Sequence, residues 1–272
     1  MKLFLYRLSL TEAKQASLFD EEIDTQSRKE FLARKFAKPF SFDHWGGIRL
    51  RYHPVQNDSG IITGVVCRWI SEDAEADPED PFNVVDSGRW VKAAFFLDTN
   101  DDRQIFAFEN RQGVGSPEAV VGGLVRHLND ETNGFPFKID AFALTRQGSF
   151  YEAVDSFPGL ITSVTFHLVI PNPLNAEEDT REALRKLGER TGATEVRETL
   201  KSNDKIDVGS SYVRGAVEHA ERGGGEVSAK SGNTQVYNSK RTVRSIELDE
   251  DLRPTGEPKQ GLFSRLMDAF RR

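Results

Sequence analysis

The sequence is short of several things, and each shortage closes off a class of protein. It has one cysteine, Cys67, in 272 residues. One thiol makes no internal disulfide, so nothing calls for an oxidising compartment. Cys67 lies in the apolar run 61–70 and reads as a small buried hydrophobe rather than a nucleophile. No apolar run approaches the roughly 20 residues that a membrane-spanning helix needs. The opening Met1-Lys2-Leu3-Phe4-Leu5-Tyr6-Arg7 is charged too soon for a signal peptide. A cytoplasmic protein without a membrane role is the expectation.

The motifs of common chemistries are missing too. There is no Gly-x-x-x-x-Gly-Lys-Ser/Thr phosphate loop and no Gly-x-Gly-x-x-Gly after a strand. His-Glu-x-x-His and Gly-x-Ser-x-Gly are absent. With one cysteine and five dispersed histidines, zinc-ligand spacing does not arise. No cofactor, metal site or catalytic residue is expected from motifs. Positive charge is in deficit: 36 Lys and Arg face 43 Asp and Glu, for a formal net charge of −7. That balance argues against coating nucleic acid by charge alone, and leaves room for a local basic patch.

What is present is β-forming sequence, densest from 90 to 170. The clearest period-two stretch is Ile48-Arg49-Leu50-Arg51-Tyr52-His53. Ile48, Leu50 and Tyr52 point one way, and Arg49, Arg51 and His53 the other: a half-buried strand with a basic outer side. Pro54 is expected to stop it, and Asn57-Asp58-Ser59-Gly60 to turn the chain into an antiparallel return over 61–70. Residues 40–47 read as a loop, and 71–81 as an acidic surface loop. Ser116-Pro117-Glu118 is a helix start, with Val120, Val121, Leu124, Val125 and Leu128 as its apolar stripe. Thr25 is read as capping a helix to Phe36, Asn175 one to about Arg190, and Ser210 or Ser211 a third. The pattern leaves the state of 194–201 open.

Three groups of residues can carry function. Arg49, Arg51 and His53, joined by Arg68 on the returning strand, form one basic patch. Lys230, Tyr237, Lys240, Arg241 and Arg244 form a second. Arginine and lysine beside an aromatic suit phosphate contact with base stacking, so these are candidate contacts to RNA or DNA. The plain alternative is a solvated sheet face balancing the acidic loop. The third group is the amphipathic tail. Leu262, Phe263, Leu266, Met267 and Phe270 recur at helical spacing after a Pro- and Gly-bearing tether. A helix this short needs a surface: its own domain, a protein partner or second copy, or, less well suited to so few basic residues, an anionic membrane.

The sequence therefore implies an α+β fold with a mixed, largely antiparallel central sheet flanked by helices. One domain is expected over 1–248, a linker over 249–260, and the amphipathic C-terminal helix over 261–272. The expected function is non-enzymatic: a binding or regulatory protein that assembles through its tail and contacts nucleic acid through a basic sheet face. The rival is a metal-dependent nuclease or hydrolase using acids such as Asp98 and Glu109. An accessory role in a mobile-element or antiviral phage-defence system is a third class with no residue behind it.

Overall fold

A computed structural model describes residues 1–12, 27–44, 46–73, 86–100, 103–132, 137–170 and 179–255. Among them every strand pairing is antiparallel, which gives an α+β architecture with helices packed on curled sheets. The larger sheet takes β1 (Lys2–Glu12), β2 (Phe40–His44), β3 (Ile48–Asp58), β4 (Ile61–Asp73), β5 (Asp86–Asp98), β6 (Ile105–Glu109), β7 (Phe137–Ala143) and β12 (Ser245–Glu247). Its order is β12-β1-β6-β5-β4-β3-β2, with β7 also pairing along β1. The smaller sheet has the order β11-β10-β8-β9. Its strands are β8 (Ser163–Val169), β9 (Glu195–Lys201), β10 (Gly225–Ser231) and β11 (Thr234–Asn238). The stretch 90–170 is thus divided: β5, β6 and β7 build the larger sheet and β8 the smaller one.

Local sequence explains most elements. Ser27 caps α1 (Arg28–Lys35) in a reciprocal capping box with Glu30, two residues after the expected Thr25, which lies outside the described residues. Pro117 opens α2 (Pro117–Thr132), and the Ser116 hydroxyl accepts from the Ala119 amide. Ser59 (φ 51°) and Gly60 (φ 84°) make the two-residue turn between β3 and β4, both in the left-handed region that such hairpin turns require. β4 and β5 then pair without a break from Ile61↔Asp98 to Asp73↔Asp86.

Three expectations change. Residues 40–44 form an edge strand rather than a loop, because Phe40 and Phe42 alternate with polar residues and pair with Tyr52 and Leu50. Pro54 does not end β3: the register shifts between Pro54 and Gln56, and this bulge carries the proline, whose missing amide an unbroken ladder would need. Residues 195–201, left open by the pattern, form β9 with strictly alternating exposure. Of the acidic loop expected over 71–81, residues 71–73 instead continue β4 and 74–81 lie outside the described residues, as do the start expected at Asn175 for α4 (Asp179–Thr191) and the tail 261–272. Of the expected linker, Glu250–Leu252 is a 3₁₀ turn with Leu252 buried against the larger sheet.

The two faces of the larger sheet have different fates. One packs Tyr52, Phe95, Phe106 and Phe108 beneath α1 and α2, with the Tyr52 and Phe95 rings stacked at 4.6 Å. The buried Tyr52 hydroxyl donates to the Phe36 carbonyl at 2.9 Å. The other face is half covered: Leu248 and Leu252 close over Leu3, Leu5, Ile61 and Phe96. Toward β2 this face carries exposed side chains. The smaller sheet has its own core, in which Phe150 of α3 (Ser149–Ser156) and Val213 and Val217 of α5 (Ser211–His219) meet Val164, Phe166 and Val227.

Candidate functional site

The part of the larger sheet that no other described element covers, from β2 to β5, is the best-formed surface for function among the described residues. Register sets its composition. Ser41 pairs with Arg51, Arg51 with Cys67, and Cys67 with Lys92, so four side chains form one row across four strands. Cross-strand partners share a face. Two residues further along, Asp43 pairs with Arg49 and Trp69 with Trp90, which makes the next row. On the other side His53 pairs with Val65 and Val65 with Ala94.

The chemistry of the face is cationic and aromatic. Trp69 and Trp90 are 40% and 41% exposed, although large apolar side chains normally avoid water. Their rings meet edge to face at 5.4 Å. The Arg51 guanidinium lies 4.9 Å from the Trp90 ring centroid, a cation–π contact that fixes both groups. Among the described residues no carboxylate forms an ion pair with Arg49, Arg51, His53 or Lys92. All four are exposed. Gly88 belongs to the same design: a Cβ there would stand 2.6 Å from the Trp69 indole, so the missing side chain lets that indole lie across β5.

Beside this patch is a cleft of about 440 Å³, lined by Ser41, Arg51, His53, Cys67, Trp90 and Lys92 among others. Cys67 is at its floor, only 9% exposed. Burial pushes its thiol up, with the Lys92 and Arg51 charges pulling the other way, so the net direction is toward the neutral form.

The residues singled out from sequence are placed unevenly. Arg49, Arg51 and His53 do share the open face. Arg68 does not: it pairs with Leu50, faces the α2 side, and donates to the Gly113 carbonyl at 3.0 Å, pinning the loop before α2. In the second patch Tyr237 is buried, with its hydroxyl 2.9 Å from that of Ser149, so its ring is closed to stacking. Lys240 pairs with Glu226 at 3.0 Å. The Arg244 main chain bridges Leu5 and Leu144, while Lys230 and Arg241 remain exposed. That patch does not make a stacking surface. Asp98 and Glu109, the acids of the rival reading, are buried beside arginines: Arg103 is 2.9 Å from Asp98, and Arg253 grips Glu109 with two nitrogens. Among the described residues no group of three or more His, Cys, Asp or Glu is arranged to hold a metal ion.

Sequence reading passed over Trp69, Trp90, Lys92 and Ser41. The signal was there in part: Val65-x-Cys67-x-Trp69 and Trp90-x-Lys92-x-Ala94 alternate at period two. It was hidden because apolar residues occupy both sides of β4 and β5, which makes the strands read as buried throughout.

Residues 37–254 match the family described as a domain of unknown function, DUF4747. No curated protein and no solved structure matches the chain.

Proposed function

The chain belongs to the DUF4747 family, a domain of unknown function, and from the geometry of the open sheet face we propose that it binds single-stranded nucleic acid there, as a binding protein rather than an enzyme. One observation carries this reading. In a chain of net charge −7, Arg49, Arg51 and Lys92 gather with His53 around two half-exposed tryptophans, and although Asp43 stands across from Arg49, no carboxylate among the described residues forms an ion pair with any of them. Cations that form no ion pair among the described residues of an acidic protein suit an anionic partner. Exposed indoles suit one with planar apolar faces, and a single strand has both. Bases stack on aromatic rings and on guanidinium planes, so the Arg51–Trp90 pair offers a platform of each kind. A duplex hides its base faces in the stack and shows only base edges, sugars and phosphates, so a single strand is the better partner for exposed rings.

The test is fluorescence anisotropy of short labelled RNA and DNA strands at low salt. Binding is expected to quench tryptophan emission and to weaken with salt at about −0.7 in log–log slope per neutralised phosphate. Trp90→Ala should cost about 1–3 kcal/mol, the worth of one stacked base. Arg49→Glu with Arg51→Glu should abolish most binding and flatten the salt dependence of what remains. If neither single strand binds the wild-type chain at low salt, the reading is wrong. Tighter binding of a duplex than of its separate strands would likewise remove the role given to the tryptophans.

A further inference from the structure

We infer that the cleft beside the tryptophans seats one nucleotide carrying a phosphomonoester, either at the end of a strand or as a free mononucleotide. This rests on the reading of the open face as a nucleic-acid site and adds to it a preference for phosphorylated ends. The cleft volume of about 440 Å³ is within the range of about 300–1,000 Å³ typical of small-molecule sites. Its lining has two chemistries. Arg51 and Lys92 bring two positive charges from the same cross-strand row, with Cys67 between them, and His53 and Ser41 add polar groups to the lining. Trp90, with the Arg51 guanidinium at 4.9 Å, supplies a flat wall.

Charge sets the class of ligand. A phosphodiester within a strand carries one negative charge, whereas a phosphomonoester carries about −1.5 to −2 at neutral pH and three acceptor oxygens. Two cations that line one open cleft and form no ion pair with a carboxylate among the described residues match the monoester better than the diester. The cation–π contact holds Arg51 in place beforehand, so its guanidinium needs less ordering when it meets a phosphate. The neutral Cys67 thiol at the floor adds no opposing negative charge.

Three strands of one sequence test this on the full chain: one with a 5′-phosphate, one with a 3′-phosphate and one with hydroxyls at both ends. At least one phosphorylated strand should bind about tenfold more tightly than the hydroxyl strand, the worth of one further charge-assisted hydrogen bond. Lys92→Ala should erase that preference, weakening the phosphorylated strand about tenfold more than the hydroxyl strand, whose own binding it also lowers. Adenosine 5′-monophosphate, and not adenosine, should slow alkylation of Cys67, the single cysteine of the chain, and should give a calorimetric binding signal that Lys92→Ala removes. If the monophosphate binds and no terminal preference appears, the cleft takes the free nucleotide and the strand end is eliminated as its source. Equal binding of all three strands, with no calorimetric signal from the monophosphate, overturns this inference and leaves the sheet-face reading standing. Failure of every strand to bind overturns that reading instead.

Discussion

Both carboxylate oxygens of Glu109 are held by Arg253, at 2.6 Å and 2.7 Å, although 144 residues separate the two in the chain. The same carboxylate accepts from the Ala94 amide at 2.8 Å. This bidentate pair pins the end of the second half of the chain to the centre of the larger sheet. Removing Arg253 takes away the closest charge on a buried acid: Arg253→Ala leaves the Glu109 carboxylate with only the Ala94 amide and Arg111 at 3.6 Å, and should destabilise the fold by on the order of 3 kcal/mol. Replacing both by apolar residues, Glu109→Leu with Arg253→Met, should recover most of that loss. Urea denaturation of the two variants checks it, and equal stability of Arg253→Ala and wild type would refute it.

Acid should loosen the same clasp. Hydrogen bonding to Arg253, ahead of the Met1 ammonium, brings the Glu250 carboxyl from its ordinary 4.5 down to about 2. A carboxyl whose folded-state value is depressed contributes stability above its unfolded value and loses it as the folded value is approached from above. The contribution is therefore complete above about pH 4.5 and fades between pH 4.5 and pH 2. Glu250 is exposed, so salt should shrink the effect. Glu250→Gln should show a flatter fall of melting temperature across this window than wild type does.

Gly88 gives a test of the tryptophan face that touches no charge. Its added Cβ would stand 2.6 Å from both the Ile70 carbonyl oxygen and the Trp69 indole. Gly88→Ala should push the Trp69 ring off β5, shift tryptophan emission and weaken single-strand binding by about 1 kcal/mol or more. The same substitution at Gly122, where a Cβ meets nothing within 4 Å, is the control and should leave binding unchanged. A Gly88→Ala protein with unaltered emission and affinity would show that the Trp69 position is unimportant.

The smaller sheet has its own buried acid. Glu221 accepts from the Gly148 amide at 2.9 Å, the Phe150 amide at 3.2 Å and the Ser149 hydroxyl at 3.3 Å, so it caps α3 from the turn that follows α5. A carboxylate bonded to the first amides of a helix also meets the positive end of its dipole. Glu221→Ala should lower stability by about 2–3 kcal/mol by orphaning those donors. Glu221→Gln, which keeps an acceptor, should lose less. Thermal unfolding separates the two.

Legibility in the sequence followed the range of the interaction. Ser116 and Pro117 act within one turn and placed the start of α2, whereas the cap of α1 is Ser27 with Glu30, two residues after the Thr25 read from the pattern. Arg49, Arg51 and His53 lie two apart on one strand, so alternation alone put them on one face. Arg68 was misplaced because its neighbours are apolar on both sides, and only pairing with Leu50 shows which way it points. Glu109 offered a carboxylate, and nothing near it in the sequence announced Arg253.

The sequence by itself determined that strands dominate, that the helices start where caps and prolines stand, and that one strand has a basic side. These follow from steric and hydrogen-bonding rules acting over a few residues. Only the tertiary structure decided that the strands divide between two sheets, that Trp69, Trp90 and Lys92 join Arg51 on one open face, and that Asp98 and Glu109 are closed off by arginines. Those outcomes depend on register between strands and on which face α1, α2 and the 3₁₀ turn cover. Both are settled by burying the largest apolar surface at once, a property of the whole chain that no short stretch contains.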